Sequence, residues 1–348
     1  MQRNGVCFDV GREMLGQNWR PDFDPAVVRG ELEIIHRDLH CNAVRIQAFD
    51  LDRLARASEF ALEEGLEVWF SPEMWDRAPE ETLQYLGRAA ERAGRLRRQH
   101  GDRLVMSVGS EVTLFSAGFL PGANVLERLA HPELRDRVRS GAHNAPLNEF
   151  LGAASRIVRE TFGGPLTYAS LPFEAVDWTP FDFVGADLYR DGRSYAQYPD
   201  SVRRYLAFGK PVANLEFGCC TFRGAELLGG RGWQVVDFST FPPRLTGEYV
   251  YDQEAQAREV ADLLRVNEEL GVDAAFVFTF VEPGVALDPE HRRRLPELSF
   301  DPDLPRYSLV KTAMDGRRGP TYPGMPWEPK ESFRAVARFY AEHPPRTT

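Results

Sequence analysis

The stretch NAVRIQAFDLDRLARASEFALEEGLEVWF, Asn42–Phe70, decides the fold. Its first part, Asn42–Ala48 (NAVRIQA), is short, apolar and β-branched, which predicts a strand. Leu51–Glu64 follows with Leu54, Ala57 and Ala61 on one stripe, the spacing of a helix that faces a core. Gly65 stands where the end of a helix favours glycine. Leu66–Phe70 (LEVWF) then predicts a second strand. Nearly continuous apolar strands separated by amphipathic helices belong to a parallel sheet covered by helices.

Working outward, the same alternation recurs. Further strands are expected at Gly5–Val10, Leu104–Val108, Leu166–Leu171, Phe183–Tyr189, Pro211–Phe217 and Ala274–Phe280, for eight in all. Helices are expected at Pro25–Leu39, Pro79–His100, Leu147–Thr161, Pro199–Phe208, Asp252–Leu270 and Ser332–His343, besides Leu51–Glu64. Strict alternation of eight units points to a (β/α)8 TIM barrel forming a single domain over residues 1–348. The rival, a doubly wound sheet, lacks its G-x-G-x-x-G after the first strand. Long connections follow strands four, seven and eight (Val112–Pro146, Gly218–Tyr251 and Glu282–Arg318), all on the rim where barrel active sites lie.

Composition narrows the function. The chain has 348 residues, 43% hydrophobic and 27% charged, with 42 basic against 52 acidic side chains and a net charge of −10. That excludes wholesale disorder and lacks the basic footprint of a nucleic-acid binder. The densest basic run, His291-Arg292-Arg293-Arg294, reads as a solvated face. No run approaches the roughly 20 apolar residues of a membrane span. The opening MQRNGVCFDVGRE has no apolar signal region, and the four cysteines show no C-x-x-C pair, so a reduced, cytoplasmic protein is expected. His36 and His40 share a helix face without a third ligand, and no metal and no cofactor are expected. The expected partner is a small-molecule substrate, with no nucleic acid and no membrane; no feature of the sequence specifies an oligomeric state.

Barrel chemistry is read at the C-terminal ends of strands. Those positions hold Asp9, Arg45 with Gln47, Glu73 with Trp75, Ser110 with Glu111, Glu174, Asp187 with Tyr189, Glu216, Phe278 with Phe280, and Glu282. Carboxylates dominate, and none of the seven histidines is among them, which weakens a histidine-base scheme. Glu111 closes strand four in SVGSEVT, and Glu216 closes strand seven in PVANLEFG. Strands four and seven face each other across an eight-stranded barrel, so both side chains can enter one pocket. Two carboxyl groups at about 5–5.5 Å, one protonated and one ionised, are what a retaining glycosidase uses. The alternative is that each pairs with an arginine to hold the rim together, and Arg45 is placed for that.

The chain resembles the clan A glycoside hydrolases. KPVANLEFG (Lys210–Gly218) is similar to their K-P-x-x-x-x-E-F-G nucleophile strand, and NAVRIQA to their N-x-V-R strand two. The resemblance implies Glu111 as acid/base, Glu216 as nucleophile and Arg45 as its brace, with Tyr189 near the nucleophile. DLHCNAVRI (Asp38–Ile46), GLEVWFSPE (Gly65–Glu73), FGGPLTYASLPFEAVDWTPFD (Phe162–Asp182) and DAAFVFTF (Asp273–Phe280) further resemble actinobacterial proteins called abortive infection proteins. The chain departs from the clan at three points. Ser110 replaces an asparagine that binds the sugar 2-hydroxyl, Phe278 and Phe280 replace a tryptophan platform, and Glu73 replaces a histidine. Such a lining suits an apolar or cationic guest. Three readings follow: a retaining glycosidase on a small intracellular glycoside, a glycosidase-like barrel turned to cyclisation, elimination or rearrangement of a natural product, or a non-catalytic binding module. Phe115, Phe119, Phe222, Trp233, Phe238, Phe241, Tyr249 and Tyr251, on the loops after strands four and seven, are expected to roof the pocket.

Overall fold

The structure is a computed structural model that describes residues 1–14, 16–237, 240, 242–282, 298–313 and 317–346. Phe238, Phe241 and the run His291–Arg294 lie outside the described residues. Eight parallel strands form the centre: β1 Arg3–Asp9, β2 Ala43–Ala48, β3 Glu67–Pro72, β4 Leu104–Ser110, β5 Leu166–Ala169, β6 Val184–Asp187, β7 Val212–Phe217 and β8 Ala274–Val277. Their order is β5-β4-β3-β2-β1-β8-β7-β6. A single parallel bridge, Ser170 to Ala186, brings the last pair together and makes the sheet a nearly closed (β/α)8 barrel.

Among the described residues seven long helices flank it: α1 Pro25–Arg37, α2 Leu51–Glu63, α3 Pro79–His100, α4 Asn144–Thr161, α5 Tyr198–Leu206, α6 Gln253–Leu270 and α7 Glu331–Glu342. Local chemistry explains their starts. Asp50 caps α2 by accepting from the amides of Asp52 and Arg53 at 2.8 and 3.0 Å. Asp252 caps α6 from Ala255 at 2.9 Å, and Pro79 opens α3. Strict alternation fails once, because residues 170–183 between β5 and β6 hold no helix. Pro172 and Pro180 interrupt this stretch, and proline cannot continue a helix. Trp178 and Phe181 cover that flank instead, in edge-to-face contact at 5.7 Å. Lys210 Nζ ties the segment down by donating to the carbonyls of Trp178 and Phe181, both at 2.6 Å.

The strands are buried on both faces. Outward residues such as Phe8, Ile46, Phe70 and Met106 pack against the helices in one cluster. Inward residues Cys7, Ala43, Trp69, Val105, Ala213, Ala274 and Phe276 fill the barrel in another. Trp69 is the plug, 4.9 Å from the Phe183 ring and 5.0 Å from that of Phe276, with small alanines around it.

Two irregularities break the alternation. Against β6, Ala186 and Asp187 pair with Asn214 and Glu216. Against β8, Ala275 and Val277 pair with Asn214 and Phe217. Both neighbours show an extra residue in β7 just before Glu216. Against β5, Ser107 and Ser110 pair with Thr167 and Ala169, so β4 also carries an extra residue, just before Glu111. Bulges of this kind re-aim side chains.

Candidate active site

The β4 bulge contains Gly109 at φ +143°, a conformation open to glycine. Glu111 follows in the left-handed region at φ 49° and ψ 40°. A non-glycine residue there stores local strain, a feature that clusters at functional sites. Among the described residues the Glu111 carboxyl takes part in no hydrogen bond. Burial first, then the charges of Glu216 and Glu174, push it well above the usual carboxylate range.

Glu216 is held from three sides. Arg45 Nη1 donates to its Oε1 at 2.7 Å, Gln47 Nε2 to the same oxygen at 2.9 Å, and Tyr189 Oη to Oε2 at 3.2 Å. Alternation along β2 explains the first two donors. Ala43, Arg45 and Gln47 share the inward face, and each step of two residues moves toward the C-terminal rim. Arg45 is 1% exposed and also lies 3.4 Å from Glu73 Oε1 and 3.8 Å from Asp187 Oδ1. Gln47 Nε2 donates to Glu73 Oε1 at 2.8 Å as well. Ser110 Oγ donates to Asp187 Oδ2 at 3.1 Å. Glu73 and Asp187 are both raised by burial, with arginine charges opposing the shift.

Asp9 does not project freely into the site. It accepts from the amides of Gly11 and Arg12 at 2.7 and 3.0 Å and from Arg12 Nε at 2.7 Å. It thereby folds the β1 loop so that Arg12 lies over the barrel mouth. The Arg12 guanidinium sits 5.0 Å from the Trp19 ring, 5.6 Å from Trp75 and 5.0 Å from Phe278, and 3.9 Å from Glu73 Oε2. Trp75 stacks on Phe115 at 4.3 Å. Phe278 faces Tyr189 at 6.4 Å and Tyr307 at 5.7 Å, edge to face.

Arg12, Trp19 and Tyr307 were not singled out by the sequence. Arg12 stands three residues beyond a strand-ending aspartate, a spacing that could have flagged it. Tyr307 lies in a long connection and carries no such signal.

Several expectations need correction. Phe280 is not a pocket residue. β8 ends at Val277, so Phe278 and Phe280 do not share a face, and Phe280 packs outward on Phe8, Trp327 and Phe333. Glu282 is occupied by the backbone, its Oε2 accepting from the amides of Tyr307 and Ser308 at 2.6 and 3.0 Å. The roof also differs from the expected set. Phe119 turns to Phe150 of α4. Phe222 packs on Tyr249, and Tyr251 donates to Asp303 at 3.0 Å. Cys219 and Cys220 are buried, unpaired thiols. Among the described residues no cluster of three or more metal-binding side chains occurs, and no helix is long and apolar enough to cross a membrane.

No family model matches the chain, and no protein of curated function does. The narrower resemblance to the abortive infection proteins therefore rests on its four stretches of sequence. Solved structures do match over nearly the whole chain. A GH113 β-1,4-mannanase is 14% identical with a TM-score of 0.61, covering 98% of this chain and 99% of its own. The GH113 β-mannanase from Alicyclobacillus acidocaldarius is 15% identical with a TM-score of 0.58 and 97% coverage of both chains. A GH5-4 broad-specificity endoglucanase from Clostridium longisporum is 11% identical with a TM-score of 0.57, covering 98% and 97%. At these identities the likeness establishes the fold alone: the chain is a (β/α)8 barrel.

Proposed function

We propose that the protein is a retaining glycosidase acting on a small glycoside. The observation that carries this is the contrast between two glutamates at the bulged ends of opposite strands. Glu216 is fixed by Arg45, Gln47 and Tyr189. Among the described residues the Glu111 carboxyl is unbonded, and burial and the Glu216 charge favour its protonated form. In this reading Glu216 attacks the anomeric carbon while Glu111 gives its proton to the departing oxygen. Glu111 then takes a proton from water, which releases the sugar from Glu216. The structural neighbours named as mannanase and endoglucanase act on polymers by name. Arg12, its guanidinium over the Trp19, Trp75 and Phe278 rings, supports a small substrate here.

A second reading has its own support. Ser110 is engaged with Asp187 rather than offering an amide to a sugar, which suits acid/base chemistry on a non-sugar natural product. One experiment separates the two. A 2-deoxy-2-fluoro aryl glycoside is expected to label Glu216, and Glu111→Gln is expected to lose about 10²–10⁴-fold in kcat on glycosides with poor leaving groups. Activated aryl glycosides should lose far less, since they need little protonation. Glu216-dependent consumption of a non-sugar compound, with no aryl glycoside cleaved, would replace the first reading with the second. Glu216-dependent turnover of a polymer would remove the small-substrate part.

A further inference from the structure

Glu111 begins a short helix, Val112–Phe115, whose first amides have no partner within the helix. A short side chain such as Asp, Asn, Ser or Thr at such a start accepts from those amides itself, and glutamate is not among these capping residues. Glu111 makes no capping bond. The amides are capped from β5 and the loop beyond it instead. Val112 N donates to Tyr168 Oη at 2.9 Å, and Thr113 N donates to Glu174 Oε1 at 3.3 Å. Thr113 Oγ1 donates to the same oxygen. Tyr168 Oη and Leu171 N donate to Glu174 Oε2, each at 2.9 Å. Tyr168 and Thr113 are fully buried and Glu174 is 7% exposed. Among the described residues Glu174 forms no ion pair, which makes it a costly way to provide a cap.

We propose that Glu174 is a positioning residue for Glu111: with Tyr168 it takes over the capping of the two amides that follow Glu111, fixes the left-handed turn, and leaves the Glu111 carboxyl to the substrate. The proposal rests on reading Glu111 as the acid. Burial supports the arrangement by pushing Glu174 up to about 7, against the hydrogen bonds it accepts, so that the group holds charge or proton beside Glu111 around neutrality.

The test compares Glu174→Ala and Glu174→Gln with the wild-type enzyme on a dinitrophenyl and an alkyl glycoside. Glu174→Ala is expected to lose about 10²-fold in kcat on the alkyl glycoside, less than tenfold on the activated one, with KM nearly unchanged. Glu174→Gln turns one acceptor into a donor facing Tyr168 or Thr113; it should show the same selective loss and carries the test if the alanine variant does not fold. A crystal structure of either variant should show Glu111 out of the left-handed region. Equal losses on both glycosides, or a turn unchanged at Glu111, overturn the proposal. If the wild-type protein cleaves no glycoside, the proposed function fails, and the crystallographic arm still decides whether Glu174 holds the turn.

Discussion

Arg45 shows at the residue scale how much one side chain can organise. It is buried against Glu216, Glu73 and Asp187, all within 4 Å. Taking it away strands three buried carboxyl groups, and breaking a buried pair in this way costs about 3–5 kcal/mol. Arg45→Met should therefore lower the unfolding free energy by that order in guanidinium titration. A loss below about 1 kcal/mol would mean that the arginine contributes little to holding the carboxyl groups. Arg45→Lys should recover only part of the loss, because a point charge cannot reach two partners as the planar fork does. This residue and its neighbour Gln47 were legible in the sequence, since a polar residue at every second position of an otherwise apolar strand has to face something inside. Arg12 was not, because a loop residue has no periodicity to betray its direction.

At the scale of elements, the bulges in β4 and β7 place the two glutamates. Alternation alone would send a strand's successive side chains to opposite faces, and one extra residue resets that count ahead of Glu111 and again ahead of Glu216. Gly109 makes the first reset possible. A Cβ there would stand 2.9 Å from Val112 Cγ2, on a backbone at φ +143°. Gly109→Ala is expected to cost about 1–3 kcal/mol and to depress kcat more than KM, because the turn carrying Glu111 would have to move. Unchanged kinetics in a folded Gly109→Ala protein would show that the bulge is incidental. The eight strands and seven helices lie close to where their periodicity placed them. The bulges were hidden, because they arise from how three strands fit together rather than from any one of them. The helix-free stretch after β5 was legible in the sequence, where Pro172 and Pro180 stand and no helical pattern lies between the fifth and sixth strands.

Across the whole molecule, four carboxyl groups with raised pKa shape the response to pH. Glu73, Glu111, Glu174 and Asp187 all have their folded pKa raised, first by burial. At these four groups the folded state holds protons that the unfolded chain releases, so their contribution to stability is greatest below the ordinary carboxylate range and declines as pH rises through the folded values. For Glu174, raised to about 7, the decline amounts to about 3 kcal/mol between pH 4.5 and 8. Denaturant titrations at pH 5 and pH 8 should show lower stability at the higher pH, and Glu174→Gln should narrow the gap; an equal gap in that variant would assign it elsewhere. The barrel also has an uneven wall. β5 and β6 meet through one bridge, with Ser170 N and Oγ donating to Gly185 O at 3.2 and 2.9 Å and Asp187 N donating to Ser170 O at 2.9 Å. Their site residues reach across this join, for Ser110 of β4 holds Asp187 of β6 past the intervening β5. The barrel should breathe there first, so amide hydrogens of Leu166–Ala169 and Val184–Asp187 should exchange with deuterium before those of β1–β3. A molecule lodged between Glu111 and Glu216 would act as a clasp on that join, and occupancy of the site would be readable as slowed exchange in β5 and β6.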